Sequence, residues 1–513
     1  MAAVHGGLRN VFPMLFLVVA VALAVGYGVI RAPVWLATVR RTRALGAVPG
    51  LVTTAALRLR LEPAPERAAR FAARTGSGPL ARSLDRHVRA ARGTARCGLE
   101  PFAEEWRPWY PELRRATALL VAGAGAPTEE RGEHLDRAVE VVLDATRDRM
   151  AAFAGEIRGP ASGIYAFGVV LPLALAGMLP AARVAGVEVS LWHVALLYDL
   201  VLPAGLAVAA GWLLTRRPVA FPPPRIDDAH PDVPDRRWRT LAAAGGGGLA
   251  GGLLALAAVA PWAAPLGAAG GGLGAGLVVH YRPAKRVREH VREVEAGLDD
   301  AVYLVGRRVE AGTAVERAVE GVAAEVPGAT GAAFEDAAGV QRRLGVGVRE
   351  AFLGEFGALA AVPSPRARSV AALLAVAASE GHPAGGALVA LGDQLSALRR
   401  VEADARRELT TVTRTIANTG AVFGPLVAGA TVAMAGRMGG VDGTEVGGSA
   451  LPIAGLGLAV GIYVLLLAAL LTALATGLDR GLDRVLLGYR LGFAIPAATA
   501  VYLVTEAAVA ALL

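Results

Sequence analysis

The chain has 513 residues, 54% of them hydrophobic and 19% charged, with 52 Lys+Arg against 44 Asp+Glu and a formal net charge of +8. A soluble protein of this length divides into two or three domains with polar surfaces, whereas the mean hydropathy of +0.47 here comes from charge-free apolar runs. Those runs exclude an ordinary soluble enzyme and lead us to expect an all-α polytopic membrane protein.

Eight runs approach the roughly 20 residues that cross about 30 Å of hydrocarbon. In chain order they are 11–30, 163–182, 190–214, 240–260, 262–280, 417–436, 451–476 and 490–512. The first is too long for the apolar core of a signal peptide and runs straight into "RAPVWLATVRRTR", so it reads as a retained span. After it, residues 31–159 read as a bundle of five or six short helices. Leu80, Leu84 and Val88 make one helical stripe, and Leu135, Ala138, Val139, Val142 and Leu143 make another. A span pair over 163–214 follows, then a Pro/Asp-rich linker at 215–239, then a Gly-rich span pair over 240–280.

Residues 281–415 read as a second bundle. Leu298, Val302, Val305 and Val309 share one helix face; Val315, Val319 and Val322 restart the pattern beyond Gly312. Further stripes are Val348, Phe352, Phe356 and Leu359; Val370, Leu373, Leu374 and Ala377; and Leu388, Leu391, Leu395 and Leu398. "RRVEAGTAVERAV" and "RRLGVGVREAF" echo one another, which predicts Gly312 and Gly345 at helix boundaries with positive φ. Spans at 417–476 and 490–512 close the chain. A span, a bundle and two spans thus occur twice, as a tandem duplication would leave them, with 240–260 and 490–512 as additions.

Basic residues orient the spans. With the N-terminus outside, 49 of the 52 Lys+Arg fall inside, and only Arg9, Arg183 and Arg437 fall outside. The expected location is a cell membrane with both bundles cytoplasmic. The first inside segment carries 22 basic and 15 acidic residues, the second 18 of each. The positive charge is therefore a membrane signature, and no nucleic-acid partner is expected.

Motifs for chemistry are sparse. The only lysine is Lys285, so no Walker-A lysine exists. A G-x-G-x-x-G at Gly246, Gly248 and Gly251 lies in an apolar Gly/Ala tract with no strand before it. The eight histidines show no zinc spacing. The single cysteine, Cys97, excludes an intrachain disulfide and a cysteine metal cluster. No cofactor, metal or catalytic residue is expected. Asp199 and Glu506 lie within spans, where a carboxylate costs about 2.5–3.5 kcal/mol.

The segments "RRVEAGTAVERAVEGVA", "RRLGVGVREAFLGEF" and "AASEGHPAGGALVALGDQLSALRR" resemble the type II secretion system F domain. "LARSLDRHV" and "IYAFGVVLPLALAGMLPAA" look like the archaeal version found in membrane platforms of type IV pilus and archaellum machines. Glu380–Gly381, with Leu388 and Leu391 beyond, is similar to that family's E-x-G…L pattern, one residue short in spacing. The resemblance implies a non-enzymatic platform. Its cytoplasmic bundles would meet a separate hexameric secretion ATPase, and its spans would work beneath pilin-like filament subunits; a homodimer would suit the centre of a symmetric ring. Arg82, Arg86 and Arg89, on one helix face, are the first docking candidates, with Arg342, Arg343, Glu380 and Gly381 on the second bundle. Arg40, Arg41 and Arg43 follow the first span directly and are expected against membrane lipids. The alternative is a transporter with parallel repeats.

Overall fold

The computed structural model describes residues 44–512 apart from 77, 95–96, 185–189, 218–229, 234–236, 381–383 and 439–452, together with single positions between 33 and 42. The expected first span, 11–30, and most of the linker lie outside the described residues. No strand occurs among the described residues. Among the described residues seven helices are long and apolar enough to cross a membrane, one for each of the other seven expected spans.

The first bundle consists of α1 (Val48–Leu61), α2 (Pro65–Thr75), α3 (Gly78–Ala90), α4 (Leu99–Trp106), α5 (Glu112–Gly125) and α6 (Thr128–Glu156). Next come α7 (Arg158–Tyr165), α8 (Leu171–Val184), α9 (Leu191–Ala195), α10 (Leu202–Arg216), α11 (Arg237–Ala258) and α12 (Ala264–Ala296). The second bundle holds α13 (Leu298–Glu310), α14 (Val315–Ala323), α15 (Gly328–Leu344), α16 (Val348–Leu353), α17 (Pro365–Glu380) and α18 (Ala384–Asn418). The chain ends with α19 (Gly424–Met438), α20 (Ile453–Arg480) and α21 (Arg484–Leu512).

The two bundles are built in the same order. In each, the first helix packs along the last, successive short helices pack on their neighbours, and the short fourth helix follows a left-handed glycine. Those glycines are Gly98 and Gly345, with φ of +82° and +64°. Gly312, at φ +92°, likewise ends α13 as its position between two stripes predicts. The α17 start shows how the "VPSP" break works: the buried Ser364 hydroxyl accepts the Ala367 N–H at 3.0 Å and Pro365 opens the helix. The stripes meet in one core, with Val302, Val305, Val319, Val322, Leu374 and Ala377 all buried.

One stripe is corrected. Phe356 is 74% exposed and does not continue the face of Val348 and Phe352. Helix α16 stops at Leu353 because Gly354 and Gly357 let the chain fold back on itself. A Cβ on Gly354 would sit 2.5 Å from the Glu350 carbonyl oxygen, so the helix cannot carry a side chain through that turn.

The expected boundary between bundle and span is also corrected. The spans run on into the bundles. One helical run extends from Thr128 to Met178 and another from Ala384 to Arg437, each with both bundle and span portions; a third, from Pro261 to Glu310, is interrupted at Gly297, which parts α12 from α13. At 1.5 Å per residue each is about 75–80 Å long. The core of the spans accordingly reaches into them, taking in Met150 and Phe153 from α6 and Ala405 and Leu409 from α18.

The bundles are not independent. Leu57 of α1 is part of the second bundle's core, while Leu398 and Val401 of α18 belong to the first. Gln394 of α18 donates to Asp136 of α6 at 3.3 Å across the same seam.

Within the spans, hydropathy gave no hint of three widened turns. Residues Ala166–Val170, Leu196–Val201 and Thr419–Phe423 are π-helical. Each ends two residues before a proline: Val170-Leu171-Pro172, Val201-Leu202-Pro203 and Phe423-Gly424-Pro425. A proline ring collides with the carbonyl four residues back and brings no N–H to pair with it. Adding a residue to the preceding turn relieves the collision. The first and third bulges occupy equivalent places in the two halves, each at the point where a bundle's last helix has become a span.

Candidate functional site

At the first bulge, tyrosines from other helices supply donors. The Tyr463 hydroxyl donates to the Gly168 carbonyl, four residues before Pro172, and the Tyr198 hydroxyl donates to the Pro172 carbonyl. The two rings stack edge to face, 5.6 Å between centroids. Both are buried, so each hydroxyl supplies the donor that lipid cannot. Tyr502 Oη donates to the Gly457 carbonyl at 2.7 Å and its ring meets Trp262. Asp199 lies within the second π-helical turn, beside Tyr198, and its buried Oδ1 has no hydrogen-bond partner among the described residues. Glu506 is buried on α21, and no hydrogen bond or ion pair joins it to Asp199.

Of the Gly246/Gly248/Gly251 motif, Gly248 and Gly251 form part of a packing surface. It lies in α11, whose glycines meet those of α12 backbone to backbone: a Cβ on Gly251 would stand 2.2 Å from the Gly267 carbonyl oxygen, and one on Gly271 2.3 Å from that of Gly247. This is the small-xxx-small contact of membrane helices.

On the first bundle, Arg82, Arg86 and Arg89 are exposed along α3, as their spacing predicts. Arg86 pairs with Glu105 at 3.3 Å and Arg89 with Asp85 at 2.7 Å, while Arg82 has no ion pair among the described residues. Glu105 also accepts from Ser83 at 3.0 Å and pairs with His87 at 2.5 Å. Burial works to raise its carboxyl, but the His87 and Ser83 hydrogen bonds and the Arg86 charge outweigh it and hold the group below the usual glutamate range. Cys97 is half-buried, and burial pushes its thiol up. On the second bundle Arg342 pairs with Glu320, and Arg343 is exposed. Glu380 ends α17 and Gly381 lies outside the described residues, as does Arg43. Arg40 is exposed, and Arg41 stacks over the Trp109 ring at 4.1 Å.

A second charged assembly has no signature in the sequence, because its members come from four separate segments. It lies where the spans meet the bundles. Arg217, just past α10, donates to the Leu478 carbonyl at 2.6 Å and to that of Asp479 at 3.1 Å. Burial pushes its guanidinium down to about 10, which leaves it charged near neutrality. Arg288 of α12 is buried against Asp483, which also accepts the Val485 N–H at 2.9 Å and so caps α21. Arg490 reaches Asp479 at 2.9 Å, and Arg406 pairs with Glu402. The charges of Arg292, Arg406, Arg480 and Arg490 all act on Arg288. Among the described residues, no group of three or more His, Cys, Asp or Glu side chains comes together as a metal site would require.

Comparison of the chain with models of known protein families, with curated proteins and with solved structures finds no match.

Proposed function

We propose that this membrane protein is the non-enzymatic platform of a type IV pilus-like assembly or secretion machine, coupling a separate hexameric ATPase on the cytoplasmic side to filament subunits in the membrane. One observation carries the reading: two six-helix bundles of the same order each pass without a break into a proline-bulged span. Such a helix carries a push or twist applied to the bundle directly to the spans. The resemblance of the second bundle to the type II secretion F domain supports the same reading. The positive-inside distribution favours a cytoplasmic position for both bundles. Cysteines at Asp442 and at Arg480, each in a Cys97→Ala background, test that orientation. In intact cells an impermeant thiol reagent should label only the first.

Docking is tested through α3. Because Arg86 and Arg89 already hold acidic partners, reversing them would set carboxylate against carboxylate. Arg82→Glu combined with Arg86→Gln and Arg89→Gln removes the positive face without that repulsion. The variant should insert normally, lose the cognate secretion ATPase in a salt-dependent pull-down and fail to assemble filaments. Wild-type protein that captures no secretion ATPase refutes the platform reading. A variant that binds and assembles normally shifts docking to the Arg342 and Arg343 face.

A transporter is the second reading, favoured by the three π-bulged spans, since such bulges are frequent at functional sites. Solute uptake by proteoliposomes that is lost in Asp199→Asn would select it.

A further inference from the structure

Arginines gather at the junction of spans and bundles. Arg217, Arg480 and Arg490 all reach Asp479. Arg288 is buried against Asp483, four residues beyond Asp479, Arg292 lies one helical turn past Arg288 on α12, and the Arg406 charge acts on both arginines. Among the described residues, the carboxylates that pair with them are Glu402, Asp479 and Asp483. Glu402 is shared with Arg366, at 3.3 Å, so it is not fully available to the cluster. Arg292 makes no hydrogen bond or ion pair among the described residues, and the Nε of the 5%-exposed Arg288 side chain has no hydrogen-bond partner there. Cations gathered and half-desolvated in this way repel one another, and a chain gains nothing from the arrangement unless an anion enters it.

We propose that this cluster is a binding site for a phosphate group carried by an anionic phospholipid of the leaflet on the bundle side. Guanidinium groups suit phosphate because their planar N–H forks match its oxygens. The position selects the lipid over a soluble anion. Arg217 and Arg480 follow the ends of two spans, and Arg490 lies in the first turns of a third. The same level carries an apolar and aromatic border: Leu482 and Phe493 are exposed, Tyr489 stacks on Phe493, and the Lys285 ammonium sits 4.5 Å over the Tyr489 ring. Acyl chains fit against that border while the headgroup reaches the arginines, as at other basic pockets between spans. The buried Arg288–Asp483 pair and the part-buried Arg490–Asp479 pair hold the junction together. Arg292, with no partner among the described residues, is the group free to turn toward a ligand, and the partly exposed Arg406 can reach one by giving up Glu402, which Arg366 also holds.

Purified full-length protein in neutral detergent, titrated with phosphatidylglycerol, phosphatidylcholine or inorganic phosphate, tests the proposal by native mass spectrometry and thermal shift. Phosphatidylglycerol should bind and stabilise; phosphatidylcholine and inorganic phosphate should not at matched concentration. Arg292→Gln with Arg406→Gln should weaken phosphatidylglycerol binding by about tenfold or more, while Arg115→Gln, at an exposed position of the first bundle, should leave it unchanged. Should the double variant fail to fold, the wild-type preference among the three ligands still decides. Equal retention of phosphatidylcholine, saturation by inorganic phosphate alone, or a folded double variant that binds phosphatidylglycerol as wild type does would each overturn the proposal.

Discussion

Gly251 and Gly267 set how closely α11 can approach α12, and alanine at either should push the helices apart. Each new Cβ would lie 2.2 Å from the other residue's carbonyl oxygen, where ordinary contact begins at 3.4 Å. The obstacle is backbone, so no rotamer change relieves it, and the axes must separate by about 1 Å. Overpacking of this kind costs about 1–3 kcal/mol, and pulling apart each close Cα–H···O pair along the seam adds roughly 0.5–1 kcal/mol. Gly246 provides the internal control. It lies on the same helix with nothing within 4 Å of its missing Cβ, so alanine there should be neutral or gain up to about 1 kcal/mol of helix propensity. The assay is thermal unfolding of the full chain in detergent. Gly251→Ala or Gly267→Ala should lower the melting temperature, and Gly246→Ala should not. Identical behaviour of Gly246→Ala and Gly251→Ala would refute the glycine seam.

Tyr463→Phe should lower the melting temperature by the equivalent of about 1–3 kcal/mol, because the Gly168 carbonyl loses its donor inside the membrane; an unchanged melt would mean that carbonyl is satisfied elsewhere. Gly345→Ala meets no atom within 4 Å but must adopt φ +64°, so it should cost about 1 kcal/mol through backbone strain alone, read by thermal unfolding. The Glu105 carboxyl is held below its ordinary range in the folded chain. Its stabilising contribution is present above the ordinary glutamate value and fades as pH falls through the folded one. Glu105→Gln should therefore flatten the acid side of a stability–pH profile, by no more than about 1 kcal/mol because the carboxylate is partly solvated; an unaltered profile counts against it.

Much of the fold was legible because it rests on period and composition. The Leu298–Val309 and Leu388–Leu398 stripes needed only the helical repeat, and the spans needed only length. Phe356 misled because periodicity counts apolar residues and takes no account of the two glycines that turn the chain around it. The three π-helical turns could have been suspected from Pro172, Pro203 and Pro425, each deep in an apolar run where a proline must disturb the ladder. The tyrosine donor at the first of them could not, since Tyr463 and Gly168 are nearly three hundred residues apart. The arginine junction was hidden for the same reason. Counted by segment, Arg217, Arg288, Arg406 and Arg490 were topology markers; only folding shows that they share one place.

The exchange of core residues between bundles also has a consequence for synthesis. The first bundle's core takes its last residue from the N-terminal half at Ala145, then waits for Leu398 and Val401, about 250 residues later. At roughly 5–20 residues per second, a ribosome needs about 13–50 s to cover that distance. Throughout that interval the faces of α1 and α6 that α18 covers in the finished protein stand open, while several spans are still entering the membrane. A nascent chain stalled between the halves should therefore be a sticky species, held by chaperones or degraded, and slowing translation across residues 150–400 should reduce yield far more than slowing it near the C-terminus.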